Sequence, residues 1–176
     1  MFRFPVYVKE MEKQKKWSEV LGALYKDWAA KKDDLNLLLC IGSELWYCLE
    51  FGDEHEMSHM IDKQKAKCQL DEVFSFGSTF FSEEYTFNLF FGYMISLFPY
   101  FFNGDFDEMQ QKAKEMLRKA CELEPNNPVP RIWYYGSHSN HPLYKTAKQE
   151  AYESVCLLFP KNGTAVENYM RDMLLP

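Results

Sequence analysis

The sequence predicts an all-α fold with seven to nine helices, arranged as one domain over residues 1–176. Apolar residues recur at the spacing of a helix face through most of the chain, whereas the strict alternation typical of strands is almost absent. The 176 residues, of which 47% are hydrophobic, suffice for one buried core but not comfortably for two. One helical domain is therefore the expected architecture.

The first two predicted helices cover residues 17–32 and 35–50. In the first helix the large apolar side chains form one stripe, which runs from Trp17 to Trp28. The second helix is apolar on nearly every side, which is typical of a helix that others cover all round.

Gly52 and Asp53 interrupt the apolar run, and residues 53–67 then predict a mostly polar helix. Its first turn is acidic and its last turn is basic, an arrangement that suits the helix dipole. Residues 69–82 show no clear period, and they are either an aromatic-rich connection or a short helix.

The segment 85–102 carries no charge over a length close to that of a membrane span. It contains proline and several polar residues, and no cluster of Lys or Arg flanks either end, so the positive-inside signal is missing. We expect a helix buried inside a helical protein, with a membrane segment as the alternative.

The clearest helix signal begins at Asp105, which can cap a helix, with Glu108 at the capping-box spacing. Its apolar stripe continues until Pro125 ends the helix. Three further elements are a short apolar segment at 129–136, a helix within 141–160, and a last helix opened by a second capping box, Thr164 with Glu167.

The net charge of -6 repels phosphate backbones and anionic membrane surfaces, and it favours a basic partner. We therefore expect binding to neither nucleic acid nor membrane. The five cysteines are odd in number and far apart, as expected of buried thiols in a reducing compartment. No secretory signal is visible near the N-terminus, so the cytoplasm is the expected location, and the oligomeric state stays open.

The segment that ends at Pro125 is similar to the second helix of a tetratricopeptide repeat. Its matching small, apolar and proline positions are Ala113, Leu117, Ala120, Leu123 and Pro125. Two other segments resemble the first helix of that repeat, at Leu38, Ile41, Gly42 and Leu45, and at Phe91, Gly92 and Ile95.

The similarity is divergent and partial, since Gly104 and Pro125 lie further apart than in the family and the spacing between units drifts. It implies stacked antiparallel helix pairs, as in an α-solenoid. A generic helical bundle with similar apolar stripes is the alternative.

In tetratricopeptide repeats the first helices line a groove that holds the partner, and the resemblance implies the same here. The implied groove positions are Asn36, Leu39, Ser43, Trp46, Tyr47, Thr86, Leu89, Tyr93 and Ser96. For Trp46 and Leu89, a place in the core is the alternative. Acidic side chains near helix ends would attract a basic partner, although a solvated face is the ordinary alternative. These are Glu50, Asp53, Glu54, Glu56, Asp105, Asp107 and Glu108.

Residues 55–59, HEMSH, match the pattern in which two imidazoles hold zinc and a glutamate acts as general base. Asp53 stands where such helices have an uncharged residue, and no third histidine follows at the spacing of the longer motif. A glutamate of the pair 83–84 is a candidate third ligand, whereas His138 and His141 lie in a predicted surface loop. We expect no bound metal, no cofactor and no catalytic residue.

These observations favour a non-catalytic protein-binding module. In size, acidic charge and lack of a catalytic motif, the chain resembles the immunity proteins that bacteria carry against contact-dependent and other polymorphic toxins. Such a protein would bind and occlude a basic toxin domain, most concretely a nuclease. One alternative is a tetratricopeptide-type secretion or assembly chaperone, and another is a zinc hydrolase that uses His55, Glu56 and His59.

Overall fold

The computed structural model of the protein describes residues 2–52, 61–138 and 140–175. Within these ranges the chain forms nine α-helices and one short 3-10 helix, and no strand. The predicted all-α fold with seven to nine helices is therefore confirmed.

The chain folds into two compact units. Unit 1 comprises Met1–Ser82, Phe101–Asn103 and Thr164–Val166, and unit 2 comprises Glu83–Tyr100, Gly104–Gly163 and Glu167–Pro176. Whether the two units together make up the single domain expected from the sequence is not decided by this division. The single domain stays a prediction.

Unit 1 contains the first four helices, each of which packs against the next. They are α1 (Val6–Lys13), α2 (Trp17–Ala30), α3 (Leu35–Phe51) and α4 (Lys63–Phe80). Every residue of α3 from 38 to 49 is buried, so this helix forms the centre of the unit. Its apolar sequence on all sides matches that position.

Unit 2 contains the remaining helices. They are α5 (Tyr85–Leu97), α6 (Phe106–Leu123), α7 (Val129–Gly136), α8 (Tyr144–Leu158) and, apart from its first residues, α9 (Ala165–Leu174). Within unit 2, α5 packs on α6, α6 on α7 and α7 on α8, and α5 also contacts α7. The central helix is α5, which is buried from residue 87 to residue 95.

The first residues of α9 are held in unit 1 by Glu12 of α1. The Glu12 carboxylate accepts a hydrogen bond of 2.9 Å from the backbone N–H of Ala165. An N–H group in the first turn of a helix has no partner inside the helix, so an acceptor from elsewhere in the fold stabilises this end. Residues 153 positions apart in the chain therefore meet in unit 1.

The predicted continuous helix over 53–67 is wrong at residues 61 and 62, which are not helical, because α4 begins at Lys63. The Asp62 side chain accepts a hydrogen bond of 3.0 Å from the backbone N–H of Lys65. This is an N-cap, and it sets the beginning of the helix. Residues 53–60 lie outside the described part of the chain.

The sequence pattern left one helical element undecided and did not predict another. The segment 69–82, for which a connection or a short helix was expected, belongs to α4 as far as Phe80. The other is α1, whose single buried side chain, Val8, leaves almost no periodic signal.

The predicted helix over 85–102 is wrong at its C-terminal end, because α5 stops at Leu97. A proline disfavours helical backbone in the residue before it, and Phe98, which precedes Pro99, has φ -135° and ψ 70°. A 3-10 turn over Pro99–Phe101 follows. Among the described helices, none combines the length and the apolar composition that crossing a membrane requires.

The predicted start of α6 is confirmed. The Asp105 side chain accepts hydrogen bonds from the backbone N–H groups of Asp107 and Glu108, at 2.9 and 3.5 Å. The cap and the two acidic residues after it place negative charge beside the positive end of the helix dipole.

A close approach between α5 and α6 depends on Gly92. A Cβ atom at this position would lie 3.0 Å from the Cγ of Leu117 and 3.1 Å from the Cβ of Met116. By contrast, a Cβ atom on Gly22 in α2 would meet no atom within 4 Å. Glycine is therefore required for packing at Gly92 but not at Gly22.

We expect Gly92→Ala to lower the free energy of unfolding by about 1 kcal/mol, because overpacking costs more than alanine's helix propensity returns. Gly22→Ala makes the same chemical change without a clash, and it should raise the free energy of unfolding by about 0.5–1 kcal/mol. Urea unfolding of the two variants measures both values. A Gly92→Ala protein as stable as Gly22→Ala would contradict this account of the α5–α6 contact.

Candidate functional site

A cleft of about 220 Å³ lies in unit 2, where α5, α7 and α9 come together. Among the described residues that line it, none carries a charge. The cleft joins two residues of the predicted groove, Tyr93 and Ser96 of α5, to Trp133 of α7 and Met173 of α9. An uncharged concave surface of this kind suits an apolar group.

Two stacked aromatic rings form part of the cleft wall. The rings of Tyr93 and Trp133 are nearly parallel, with an interplanar angle of 14° and centroids 4.4 Å apart. Burial, and then the charge interaction and hydrogen bond with Tyr169, raise the pKa of Tyr93. Tyr93 is 6% exposed and Trp133 is 3% exposed, so the stack forms a rigid, largely buried floor of the cleft.

The rim of the cleft is apolar and open to water. Leu97 is 36% exposed and Met173 is 47% exposed. Beside them, the Ser96 hydroxyl donates a hydrogen bond of 2.8 Å to the backbone carbonyl of Tyr93 and keeps its oxygen lone pairs for another donor. Large apolar side chains with this exposure are available for contact with another molecule.

The acidic first turn of α6 is linked to the end of α5 that lines the cleft. The side-chain amide of Gln110 donates a hydrogen bond of 3.1 Å to the backbone carbonyl of Ser96. Asp107 is one helical turn before Gln110, and it is exposed together with Asp105 and Glu108. The C-terminal end of a helix carries partial negative charge, so α5 adds to the acidic character of this region.

Most of the predicted groove residues lie elsewhere. The structure buries Leu39, Ser43, Trp46, Tyr47 and Leu89 in the cores of the two units. Thr86 and Glu50 are half-buried, and the half-buried Asn36 exchanges two 2.8 Å hydrogen bonds with the backbone of Arg3. That these residues bind a partner stays a prediction. Only those with solvent-exposed side chains can make such a contact.

Sequence reasoning missed Trp133 and Met173. Trp133 lies in α7, whose residues 129–136 were read only as a short apolar element. Met173 lies near the end of α9, where a stripe of one or two turns gives no indication of which face meets solvent.

The remaining predicted acidic residues and the candidate zinc motif cannot be placed. Asp53, Glu54 and Glu56, with His55 and His59, lie outside the described residues. In the ranges that the structure does describe, no three His, Cys, Asp or Glu side chains come together as metal ligands would. The zinc hypothesis therefore stays a prediction.

His138 and His141 lie in the connection between α7 and α8, beside a surface cleft of about 510 Å³. The His141 ring stacks on the Tyr135 ring, with the two ring centroids 4.1 Å apart. The Nδ1 atom of His138 lies 2.8 Å from the backbone carbonyl oxygen of Tyr134. The two imidazoles serve local structure there, and no third described ligand joins them.

Unit 1 has a carboxyl group inside its core. Glu44 of α3 is fully buried, and within the described part of the chain neither of its oxygens has a hydrogen-bond partner. Burial, and secondarily the charge of Glu12, raise the pKa of Glu44 well above its usual value. Burial also raises the pKa of the Cys48 thiol one turn away. The protonated form of Glu44 is therefore the one that the core accommodates.

Comparison with known proteins found no matching family model, no similar curated protein and no similar solved structure.

The buried Glu44 predicts that unit 1 loses stability as the pH rises. In the unfolded chain a glutamate ionises near pH 4.3, whereas in the folded chain its pKa is raised, so the folded state binds the extra proton between those values. The free energy of unfolding falls through that window and levels off above the folded pKa.

Glu44→Gln removes this titration, so the variant should show a flatter pH profile and greater stability at and above neutral pH. Urea unfolding between about pH 5 and pH 8 measures the difference. Glu19→Gln, at an exposed glutamate of α2, is the matched control and should change little. Equal destabilisation of Glu44→Gln at every pH would show that the carboxyl group is not the source of the effect.

Proposed function

We propose that this protein is a non-catalytic protein-binding module, and that the cleft between α5, α7 and α9 receives an apolar side chain of a basic protein partner. The observation that carries the proposal is an uncharged cleft with an exposed apolar rim, joined through Gln110 to an acidic helix start. An apolar anchor with a charged surround is the common composition of a binding hot spot.

The size of the cleft supports a single side chain as its occupant. Pockets for small molecules commonly measure about 300–1,000 Å³, and this cleft measures about 220 Å³. The stacked rings of Tyr93 and Trp133 form a rigid, largely buried floor of the cleft, on whose exposed edge a large aliphatic or aromatic side chain can pack. Burying such a side chain contributes about 1.5–3 kcal/mol.

The charge distribution supports a basic partner. Asp105, Asp107 and Glu108 are exposed and lie on the helix that Gln110 links to the cleft rim. The whole chain has a net charge of -6, so a positively charged protein is attracted before contact. These groups would favour specificity and fast association more than affinity itself.

The order of helix contacts is compatible with the repeat resemblance. In unit 2 α5 packs on α6, α6 on α7 and α7 on α8, and α5 also touches α7, the helix two places further along. In a helical-pair stack, alternate helices share one surface, and α5, α7 and α9 are alternate helices that border the cleft. The tetratricopeptide-like arrangement is part of the proposal.

The most concrete form of the proposal is an immunity protein that occludes a basic toxin domain, with a nuclease as the first candidate. Its support is the acidic charge and the apolar anchor site beside acidic side chains. The two alternative functions predict different ligands.

A chaperone would bind an extended unfolded segment, and a zinc hydrolase would bind stoichiometric zinc through His55 and His59.

A lysine-flanked peptide with a central tryptophan tests the cleft, because it combines an apolar anchor with positive charge. With 5-fluorotryptophan incorporated into the protein, the ¹⁹F signal of Trp133 should shift on titration, while the signals of Trp17, Trp28 and Trp46 report on the rest of the chain. A peptide with serine in place of tryptophan should leave the Trp133 signal unchanged. Response to both peptides alike would contradict an apolar anchor site.

Met173→Ser should weaken binding of the tryptophan peptide about five- to ten-fold, because it removes apolar surface at the rim. Leu157→Ser is the matched control: Leu157 lies on α8, is 76% exposed and does not line the cleft. Asp107→Asn should weaken binding at low salt and lose this effect at high salt. Equal affinities for Met173→Ser and Leu157→Ser would place the contact elsewhere.

The immunity proposal needs a toxin assay. Co-purification with a basic nuclease toxin domain, loss of its nuclease activity in the complex and rescue of cells that express it would support the proposal. Binding only to an extended segment would favour the chaperone alternative. Stoichiometric zinc, with hydrolysis lost in Glu56→Gln, would favour the hydrolase.

A further inference from the structure

We infer that unit 1 carries a binding site for a lysine side chain, and that the chain's own Lys32 is a resident occupant that an incoming lysine displaces. The site is formed by Trp28 and Phe76, whose rings surround the ammonium group, and by the Glu72 carboxylate. The proposed basic partner supplies the identity of the incoming lysine, whereas the site itself stands on unit 1 alone.

Two aromatic rings hold the Lys32 ammonium group. Its Nζ atom lies 4.7 Å from the centroid of the Trp28 ring and 5.5 Å from that of the Phe76 ring. These two rings meet nearly at right angles, at 83°, with centroids 5.8 Å apart. A cation within about 6 Å of an aromatic face is attracted by the ring quadrupole, and tryptophan is the strongest of the rings in this respect.

A carboxylate completes the site. The Glu72 carboxylate lies 3.2 Å from the Lys32 Nζ atom, and its other oxygen accepts a hydrogen bond of 2.5 Å from the Tyr25 hydroxyl. That hydrogen bond is the main cause of the rise in the pKa of Tyr25 to about 12. Tyr25 is a positioning residue, because it fixes the carboxylate in place for the cation.

The occupant can leave because the side of the site formed by Lys32 and Glu72 is open to solvent, whereas the Trp28 ring beneath the ammonium group is buried. The side chains of Lys32 and Glu72 are 43% and 45% exposed. Lys32 lies beyond the last residue of α2, so no helical hydrogen-bond ladder holds its backbone. Exposed ion pairs and cation–π contacts each contribute about 0–1 kcal/mol, so an incoming cation competes with a weak internal contact.

The chemistry of the site favours a primary ammonium over a quaternary one. The carboxylate needs an N–H donor, which a lysine side chain supplies and a tetramethylated nitrogen does not. An exposed phenylalanine, Phe80, packs against Phe76, with the ring planes tilted by 31° and the centroids 4.4 Å apart. It extends the apolar wall beyond the ammonium position, where the aliphatic stem of an incoming lysine would pack.

The test removes the Lys32 side chain by substitution and supplies an ammonium compound from solution in its place. n-Butylammonium, which has the four-carbon stem and ammonium of lysine, is titrated into 5-fluorotryptophan-labelled Lys32→Ala, and the ¹⁹F signal of Trp28 is followed. Removing an internal competitor that occupies the site most of the time should lower the apparent dissociation constant about ten-fold relative to the unsubstituted chain. Tetramethylammonium should bind more weakly than n-butylammonium.

Lys31→Ala is the matched control, since it removes the same charge from the neighbouring position without ring contacts in the structure. It should bind n-butylammonium as weakly as the unsubstituted chain. Adding Glu72→Gln to Lys32→Ala should abolish most of the gain. If Lys32→Ala responds no better than Lys31→Ala, Lys32 is only a structural contact and the inference is overturned.

Two control measurements separate loss of folding and a response of unit 2 from binding at the lysine site. Circular dichroism checks that Lys32→Ala retains its helices, and Lys32→Gln, which keeps a polar side chain without the charge, replaces it if it does not. The Trp133 signal in the same spectra reports on unit 2 and should not respond to n-butylammonium. A silent Trp133 with a responding Trp28 supports the lysine site whether or not the cleft binds its peptide.

Discussion

Two helices of this protein, α3 and α5, are apolar on nearly every face, and helices of that kind are stable in water only when other helices cover them all round. Each unit is built around one of them. The amphipathic helices, with stripes such as Met109 to Ala120 on α6, provide the cover. The covering helices direct their polar faces to solvent, so the surface is charged. The few apolar side chains that remain exposed on it are therefore candidates for contact with another molecule.

The parts of the fold that could be predicted are the amphipathic helices that cover the two apolar ones. Helices with a single stripe and a capping aspartate, such as α6 after Asp105, follow from local chemistry and were predicted correctly. The boundaries that failed depend on details that periodicity does not carry. Asp62 caps α4 inside the segment that was predicted as one helix, and Pro99 ends α5 earlier than its uncharged composition indicated.

The candidate site could be predicted only in part, for a related reason. A helix that is apolar all round has no preferred phase, so its sequence does not tell which face is left open. The resemblance therefore placed Trp46 and Leu89 in the groove together with Tyr93, although the first two are completely buried and Tyr93 is only 6% exposed. Trp133 and Met173, which complete the cleft, come from elements of 8 and 10 residues, too short to define a face by themselves.

The hydrogen bond from Ala165 to Glu12 can form only late in synthesis, because its two residues lie 153 positions apart in the chain. Unit 1 includes Thr164–Val166, which a ribosome produces only after nearly all of unit 2. The contacts among α1, α2, α3 and α4 can form before that point, whereas the contact with Ala165 is added only when the last helix has been made. A chain truncated before Ala165 would therefore lose this hydrogen bond and keep the cover that α2 and α4 give to α3.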